Sequence, residues 1–349
     1  MPETTGVPTA ERLLSLVDAM AGRPVLLLAD LVADRYISGT PKRISREAPI
    51  LILRYEGESW VLGGGANAIA NVRALGGEPL PLGFLGPDEA GRRIRASLAE
   101  AGVTTEGLLE QEGYRTPTKT RIVGGDPHSV RQQVARYDIE SQATVDDRAR
   151  EHFAACLERW RERASVAVMS DYGYGAVLPE LLPELRRALR EPGSIYCDSR
   201  YRLRAFEGMS GATPNQEEVE ALCGETLGDD EERLVHHARS IRRQLGAELL
   251  LVTRGSRGMT LLEADHATHV PVLGLGQVAD VTGAGDTVIG AFSLARAAGA
   301  EPIEAALLAN YAAGVVVHKP GTALPTLEEL RHAIRTDRTP LEAARRARL

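Results

Sequence analysis

Short, uninterrupted apolar runs constrain the fold of this 349-residue chain more than any other feature. Val25-Leu26-Leu27-Leu28-Ala29, Val166-Ala167-Val168-Met169, Ser194-Ile195-Tyr196-Cys197 and Leu249-Leu250-Leu251-Val252 are of the kind that strands show when both faces of a parallel sheet are covered. Helical patterns lie between them, at Ala66 to Leu75, Asp88 to Ala101, Leu178 to Leu189 and Asp230 to Leu245, and an amphipathic helix is expected before the first run, from Glu11 to Met20. Strands alternating with helices imply right-handed crossovers. The expected fold is therefore α/β, with a doubly wound, mostly parallel central sheet flanked by helices.

Two stretches break the alternation. Residues 36–62 hold Ile50-Leu51-Ile52-Leu53 and Trp60-Val61-Leu62 with no helix between them, and residues 116–138 hold two strand-like runs joined at Gly124-Gly125-Asp126. They read either as hairpins pairing in a small β-lid outside the main sheet or as edge strands of that sheet. The tail from Pro340 to Leu349, rich in Ala and Arg, reads as a solvated helix or a frayed end.

The chemistry concentrates at Asp280-Val281-Thr282-Gly283-Ala284-Gly285-Asp286, which opens an apolar helix. Glycines flanking an alanine let successive N–H groups converge on one anion, and the helix N-terminus adds partial positive charge there. A carboxylate at the same spot suits deprotonation of a hydroxyl that attacks a phosphate. The alternative is a tight turn with Asp286 as an N-cap.

Bulk properties exclude several classes. A net charge of −7 argues against a general nucleic-acid or membrane-surface binder, so a small anionic substrate needs a local basic site. Three scattered cysteines, Cys156, Cys197 and Cys223, fit a reducing cytoplasm. The eight histidines show no metal-ligand spacing, no run is long enough to span a bilayer, and no GxxxxGK[ST] occurs, so ATP would be bound without a P-loop.

In open α/β sheets ligands bind beyond the carboxyl ends of the strands. Asp30 and Asp34 follow the first run, and Gly63, Gly64 and Asn67 open a helix after the lid stretch. Asp171 and Asp198-Ser199-Arg200 follow the middle runs. Asn215 with Glu218, and then Thr253, Gly255 and Gly258, come before the glycine heptapeptide.

With these elements the chain resembles the ribokinase-like (PfkB) family of sugar kinases over nearly its whole length. The D-x-T-G-A-G-D element and the glycine pair before an asparagine are that family's signatures, in matching order and separation. Within it the chain is most similar to the kinases of ADP-heptose synthesis that act on D-glycero-β-D-manno-heptose 7-phosphate. That likeness is carried by Asp30 to Tyr36, Arg43 to Pro49, Ser170-Asp171-Tyr172, Thr213-Pro214-Asn215, Val252-Thr253-Arg254 with Gly258-Met259, and Asp280 through Gly290.

The resemblance implies a single kinase domain over 1–349, with ATP and Mg²⁺ as cofactors. It implies Asp286 as general base and Gly283, Ala284 and Gly285 as N–H donors to the γ-phosphoryl. Asn215 and Glu218 match an N-x-x-E that orients Mg²⁺ through water, or else form a helix N-cap with a solvated acid. Thr253, Gly255 and Gly258 resemble a loop approaching the nucleotide. Asn310, Ala313, Gly314 and Val317 fall where the family forms its adenine slot, unless their small side chains serve helix packing alone.

Asp30, Asp34, Gly63, Gly64, Asn67 and Asp171 are the sugar-side candidates. Arg131 and Arg136 on the lid are candidate phosphate contacts or a solvated face, and Arg200 a contact to phosphate or nucleotide. K⁺ is expected near carbonyls of Asp280, Thr282 and Lys319-Pro320-Gly321. The expected partners are a small sugar or sugar phosphate and a second copy through the lid, with no nucleic acid and no membrane, in the cytoplasm. Two departures from the heptose-phosphate kinases stand out, because those carry lysines where this chain has Tyr174 and Arg200. A ribose, fructose or nucleoside kinase with an unphosphorylated acceptor, and a non-catalytic sugar-binding regulatory protein, remain as alternatives.

Overall fold

The computed structural model describes residues 8–125, 132–274 and 278–348. Its strands are β1 (Pro24–Ala29), β2 (Leu31–Ile44), β3 (Leu51–Gly64), β4 (Glu78–Leu85), β5 (Leu108–Glu110), β6 (Thr118–Gly124), β7 (Gln132–Ile139), β8 (Val166–Asp171), β9 (Ser194–Ser199), β10 (Gly211–Ala212), β11 (Leu249–Thr253), β12 (Met259–Leu262), β13 (His266–Val270) and β14 (Arg345–Arg348). Its helices are α1 (Ala10–Ala19), α2 (Gly65–Ala74), α3 (Glu89–Glu100), α4 (Asp147–Arg159), α5 (Leu182–Ala188), α6 (Gln216–Cys223), α7 (Glu231–Gln244), α8 (Ala284–Ala297), α9 (Pro302–Val316), α10 (Leu327–Thr336) and α11 (Thr339–Glu342).

The apolar runs become β1, β8, β9 and β11 of a sheet ordered β14-β13-β12-β11-β10-β9-β8-β1-β4-β5. From β5 to β11 the pairings are parallel, and β11 to β14 form an antiparallel extension. The pleat explains why the runs are uninterrupted. Val25, Leu27 and Ala29 enter a core with α1, α2, α8 and α9, whereas Leu26 and Leu28 enter a second core with α4, α5 and α7 on the other face. Leu249 and Leu251 against Leu250 and Val252 repeat the division. Each such valine or leucine contributes about 1.5–3 kcal/mol on burial.

A second sheet, β3-β2-β6-β7, stands apart from the first and takes in both stretches that broke the alternation, its first strand beginning at Leu31. Only Asp30 separates β1 from β2, and β3 passes into α2 with no residue between. These two crossings touch. The Gly65 N–H donates to the Asp30 carbonyl at 3.0 Å, the Asp30 N–H donates to the Ser170 carbonyl at 3.0 Å, and a Cβ on Gly65 would fall 2.5 Å from that of Ala29. The far end of the sheet leaves Ile44 (68% exposed), Ile50 (60%) and Tyr55 (64%) open.

The expectation for the tail is overturned. Residues 339–342 make one helical turn, and Arg345–Arg348 then pairs antiparallel with β13 as the edge of the main sheet. The backbone of β13 offers a free ladder, and that pairing needs no apolar side chain from the tail. No helix among the described residues is long and apolar enough to cross a membrane.

Candidate active site

β1 lies between β4 and β8, where the connections diverge to either side, and ligand crevices form at such a switch point. There the ends of β8, β9 and β11, the first turn of α8 and the second sheet enclose a cavity of about 560 Å³.

Helix α8 opens at Gly283, which has φ +79° and supplies no side-chain cap. A Cβ there would fall 2.6 Å from Asn67 Nδ2 and 2.7 Å from Thr322 Cγ2, so only glycine fits. Gly283 and Gly285 both line the cavity, and open space lies beyond Gly285. Uncapped N–H groups and the helix dipole therefore face the cavity, an arrangement suited to an anion. Ala284, the first residue of the helix, differs from its expected role: it does not line the cavity, and its N–H donates to the Val281 carbonyl at 3.2 Å.

Asp286, 3% exposed, also lines the cavity. Its Oδ1 accepts from the Tyr172 hydroxyl at 2.7 Å and its Oδ2 from Asn67 Nδ2 at 3.0 Å. Burial pushes its pKa up to about 7 against those two hydrogen bonds, which favour the charged form. A carboxyl titrating near neutrality is matched to general-base work.

Several candidates occupy places different from those expected. Asp30 does not reach the cavity. Its carboxylate accepts from the backbone N–H groups of Tyr172, Tyr174 and Ala176, each at 2.9 Å, and so clamps that loop; burial still holds its pKa up at about 6. Asn67 serves Asp286 and the Gly283 carbonyl instead of lining the sugar side. Asp171 lines the cavity, but Ser199 (2.6 Å) and Arg202 (2.5 Å) engage its oxygens.

Asp34 and Gly64 do line it. Asp34 pairs with Arg121 at 2.5 Å, and a Cβ on Gly63 would collide with the Asp34 carboxylate at 2.5 Å. Arg136 faces the cavity with both ends of its guanidinium on Asp138, whereas Arg131 lies outside the described residues.

Lys119 on β6 was not singled out by sequence reasoning, yet it lines the cavity with its Nζ 5.1 Å from the Tyr172 ring centre. Burial holds its pKa below the usual lysine range. Arg200 also faces in, its guanidinium stacked on Tyr201 at 5.7 Å. Among the described residues neither of these two cations enters an ion pair. A lone lysine on a strand carries no sequence signal of this kind, because its significance depends on which neighbouring charges are already paired.

Asn215 and Glu218 form the capping box of α6 and also line the cavity, and burial raises the pKa of Glu218, so the acid of this cap is not a solvated one. Asp198 faces the same space, its pKa raised to about 7 by burial and then by the charge of Glu218. Opposed carboxylates beside an amide oxygen are the donor chemistry a hard divalent cation takes. Among the described residues no three His, Cys, Asp or Glu side chains cluster to hold a metal by themselves. A divalent ion held here would take the rest of its coordination from water and ligand oxygens.

Thr253 lines the cavity, while Gly255 and Gly258 turn the chain behind it; a Cβ on Gly258 would lie 2.1 Å from the Val270 carbonyl. Asn310 donates to the Pro271 carbonyl at 2.8 Å, and Gly314 abuts Leu273. These two α9 residues thus pack against 271–273 and do not border the cavity. Asp280 accepts from the N–H groups of Thr282 (2.9 Å) and Gly321 (3.1 Å), tying those two loops together, and Thr282 reaches the cavity.

The sequence profile of the pfkB family carbohydrate kinases matches residues 55–329. The chain is 38% identical over 333 residues to the bifunctional protein HldE of Mesorhizobium japonicum, across 94% of this chain and 65% of that protein. It is 41% identical over 318 residues to the bifunctional protein HldE of Nitrosococcus oceani, across 89% and 63%. The chain therefore spans slightly less than two thirds of the length of these relatives.

Its fold is similar to that of phosphofructokinase-2 from Escherichia coli, solved with substrates and products, with a TM-score of 0.71, 18% identity, and coverage of 90% of this chain and 98% of that one. It is likewise similar to Arabidopsis thaliana ribokinase complexed with ribose and ATP, with a TM-score of 0.70, 19% identity, and coverage of 90% and 99%. These two likenesses concern the fold.

Proposed function

The chain belongs to the pfkB family of carbohydrate kinases, and on that premise we propose that it transfers the γ-phosphoryl group of ATP to a hydroxyl of a sugar already carrying a phosphate, a heptose 7-phosphate. The observation that carries the choice of acceptor is the pair Lys119 and Arg200. The other cavity arginines, Arg121 and Arg136, are neutralised by Asp34 and Asp138. Neither Lys119 nor Arg200 makes an ion pair among the described residues, Asp34 and Asp286 acting on Lys119 and Asp198 and Glu218 on Arg200 only from farther off. Cations so placed favour an anionic ligand beyond the triphosphate that the α8 N-terminus would receive.

In this reading Asp286 takes the proton of the acceptor hydroxyl as its oxygen attacks the γ-phosphorus in line and ADP leaves. The N–H groups at Gly283 and Gly285 stabilise charge on the transferring group, each worth roughly 3 kcal/mol in the transition state. Asn215 and Glu218 would hold Mg²⁺ through water, which neutralises phosphate charge when bound. Carbonyls around Asp280, Thr282 and Gly321 are the place for K⁺. The second sheet acts as a lid that excludes water from the transfer, and its exposed far end receives a second copy of the chain.

A panel measuring ADP release with heptose 7-phosphates, hexose phosphates, free hexoses, ribose and nucleosides tests the assignment. Turnover is expected with phosphorylated acceptors, highest with a heptose 7-phosphate. Equal kcat/KM on free sugars and their phosphates would reject it in favour of an unphosphorylated acceptor.

A further inference from the structure

We propose that Tyr172 is a positioning residue for the transfer, its hydroxyl fixing the Asp286 carboxylate in the orientation that presents a lone pair to the acceptor hydroxyl. The proposal rests on the reading of Asp286 as the base.

The carboxylate is held at both ends. Tyr172 donates to Oδ1 at 2.7 Å and Asn67 to Oδ2 at 3.0 Å. Asn67 is itself fixed by Asn71, whose amide donates to the Asn67 side-chain oxygen at 3.1 Å and to its carbonyl at 2.9 Å. Two donors at opposite ends set the plane of the carboxylate and leave each oxygen a second lone pair.

The phenol is equally constrained. Asp30 clamps the backbone at residues 172, 174 and 176, Lys119 lies over the ring, and a Cβ on Gly64 would come within 3.3 Å of Tyr172 Cδ2. Asp30 thus acts on the site through the loop it holds. The rigid ring places a neutral donor without adding charge. Burial and the adjacent Asp286 keep its pKa well above the usual tyrosine value, so it retains its proton and does not compete for the acceptor's. The other charged groups facing this pair are Asp34 on β2, Lys119 on β6, Asp198 on β9 and Arg200 just beyond it.

The test is Tyr172→Phe, which keeps the ring and its packing and deletes only the hydroxyl. It is run beside Asp286→Asn with ATP and the best acceptor of the panel above, after thermal unfolding has shown both variants folded. For Tyr172→Phe, kcat is expected to fall about 10- to 100-fold with both KM values within about twofold. The acid limb of kcat/KM should move up by about one to two pH units, the size of a hydrogen bond to a charged group expressed as a pKa. Its direction follows from losing a donor that favours the ionised carboxylate.

An unchanged kcat and acid limb, with Asp286→Asn inactive, would reduce Tyr172 to packing and leave the base assignment standing. Loss of activity at every pH, without recovery above the shifted limb, would make the hydroxyl a reacting group and overturn the positioning role. Near-normal turnover by Asp286→Asn would remove the base and the proposal with it.

Discussion

Asp286 combines a catalytic assignment with a cost in stability, and the two can be separated by one substitution. Its folded pKa of about 7 lies above that of a carboxyl in the unfolded chain, so the folded state binds the extra proton between about pH 4 and pH 7. Stability from this group is full below the unfolded pKa and declines as pH rises through the folded one. Asn in its place keeps both contacts, accepting from Asn67 and donating to the Tyr172 hydroxyl. Asp286→Asn is therefore expected to lower kcat at least about 100-fold yet to be more stable than the wild type at pH 8, by roughly 1–2 kcal/mol. That advantage should shrink as the pH falls and vanish near pH 4, and denaturant titrations at pH 8 and pH 4 check it. Lys119 yields a second expectation. Lys119→Met should raise KM for a sugar phosphate at least about 30-fold, the equivalent of ~2 kcal/mol for a lost charge-assisted contact, and leave KM for a free sugar unchanged. Steady-state kinetics on both acceptors decides this.

Among the elements, the first turn of α8 makes the sharpest demand on sequence. Gly283→Ala places a methyl group against Asn67 Nδ2 in a left-handed backbone and pushes that amide off Asp286, so kcat should fall with the helix still formed. Gly285→Ala meets no protein atom. It is expected to fold normally and to raise KM for ATP by crowding the phosphates, and a comparison of the two variants by kinetics and circular dichroism separates the cases. The sequence made these glycines legible because their spacing is local. It made β1, β8, β9 and β11 legible for a related reason, since burial on both faces writes itself as an unbroken apolar run. β4 was hidden by Pro79 and Pro81, β10 by its two-residue length, and β14 by arginines whose side chains say nothing about a backbone ladder. The roles of Asp30, Asn67 and Tyr172 were illegible for another cause. The partners of Asp30 lie 142 to 146 residues away and those of Asp286 at 114 and 219, and no local pattern records such meetings.

At the scale of the whole molecule, the far end of the second sheet groups exposed apolar side chains, with Ile44, Ile50 and Tyr55 all more than half exposed. If a second copy covers it, Ile50→Asp combined with Tyr55→Asp should convert a dimer into a monomer, read by sedimentation velocity, while nucleotide affinity stays unchanged. A monomeric wild type at micromolar concentration would remove that assembly. The way the sheet is attached has a mechanical consequence. Two of its four attachments, at Asp30 and at the Gly64–Gly65 peptide, are hydrogen-bonded to each other and pinned to β8 through Ser170. Movement of the sheet at these adjacent pins acts on the residue whose carboxylate grips the loop bearing Tyr172. A pull on the sheet is therefore delivered close to the base, as by a door pin that also carries the latch.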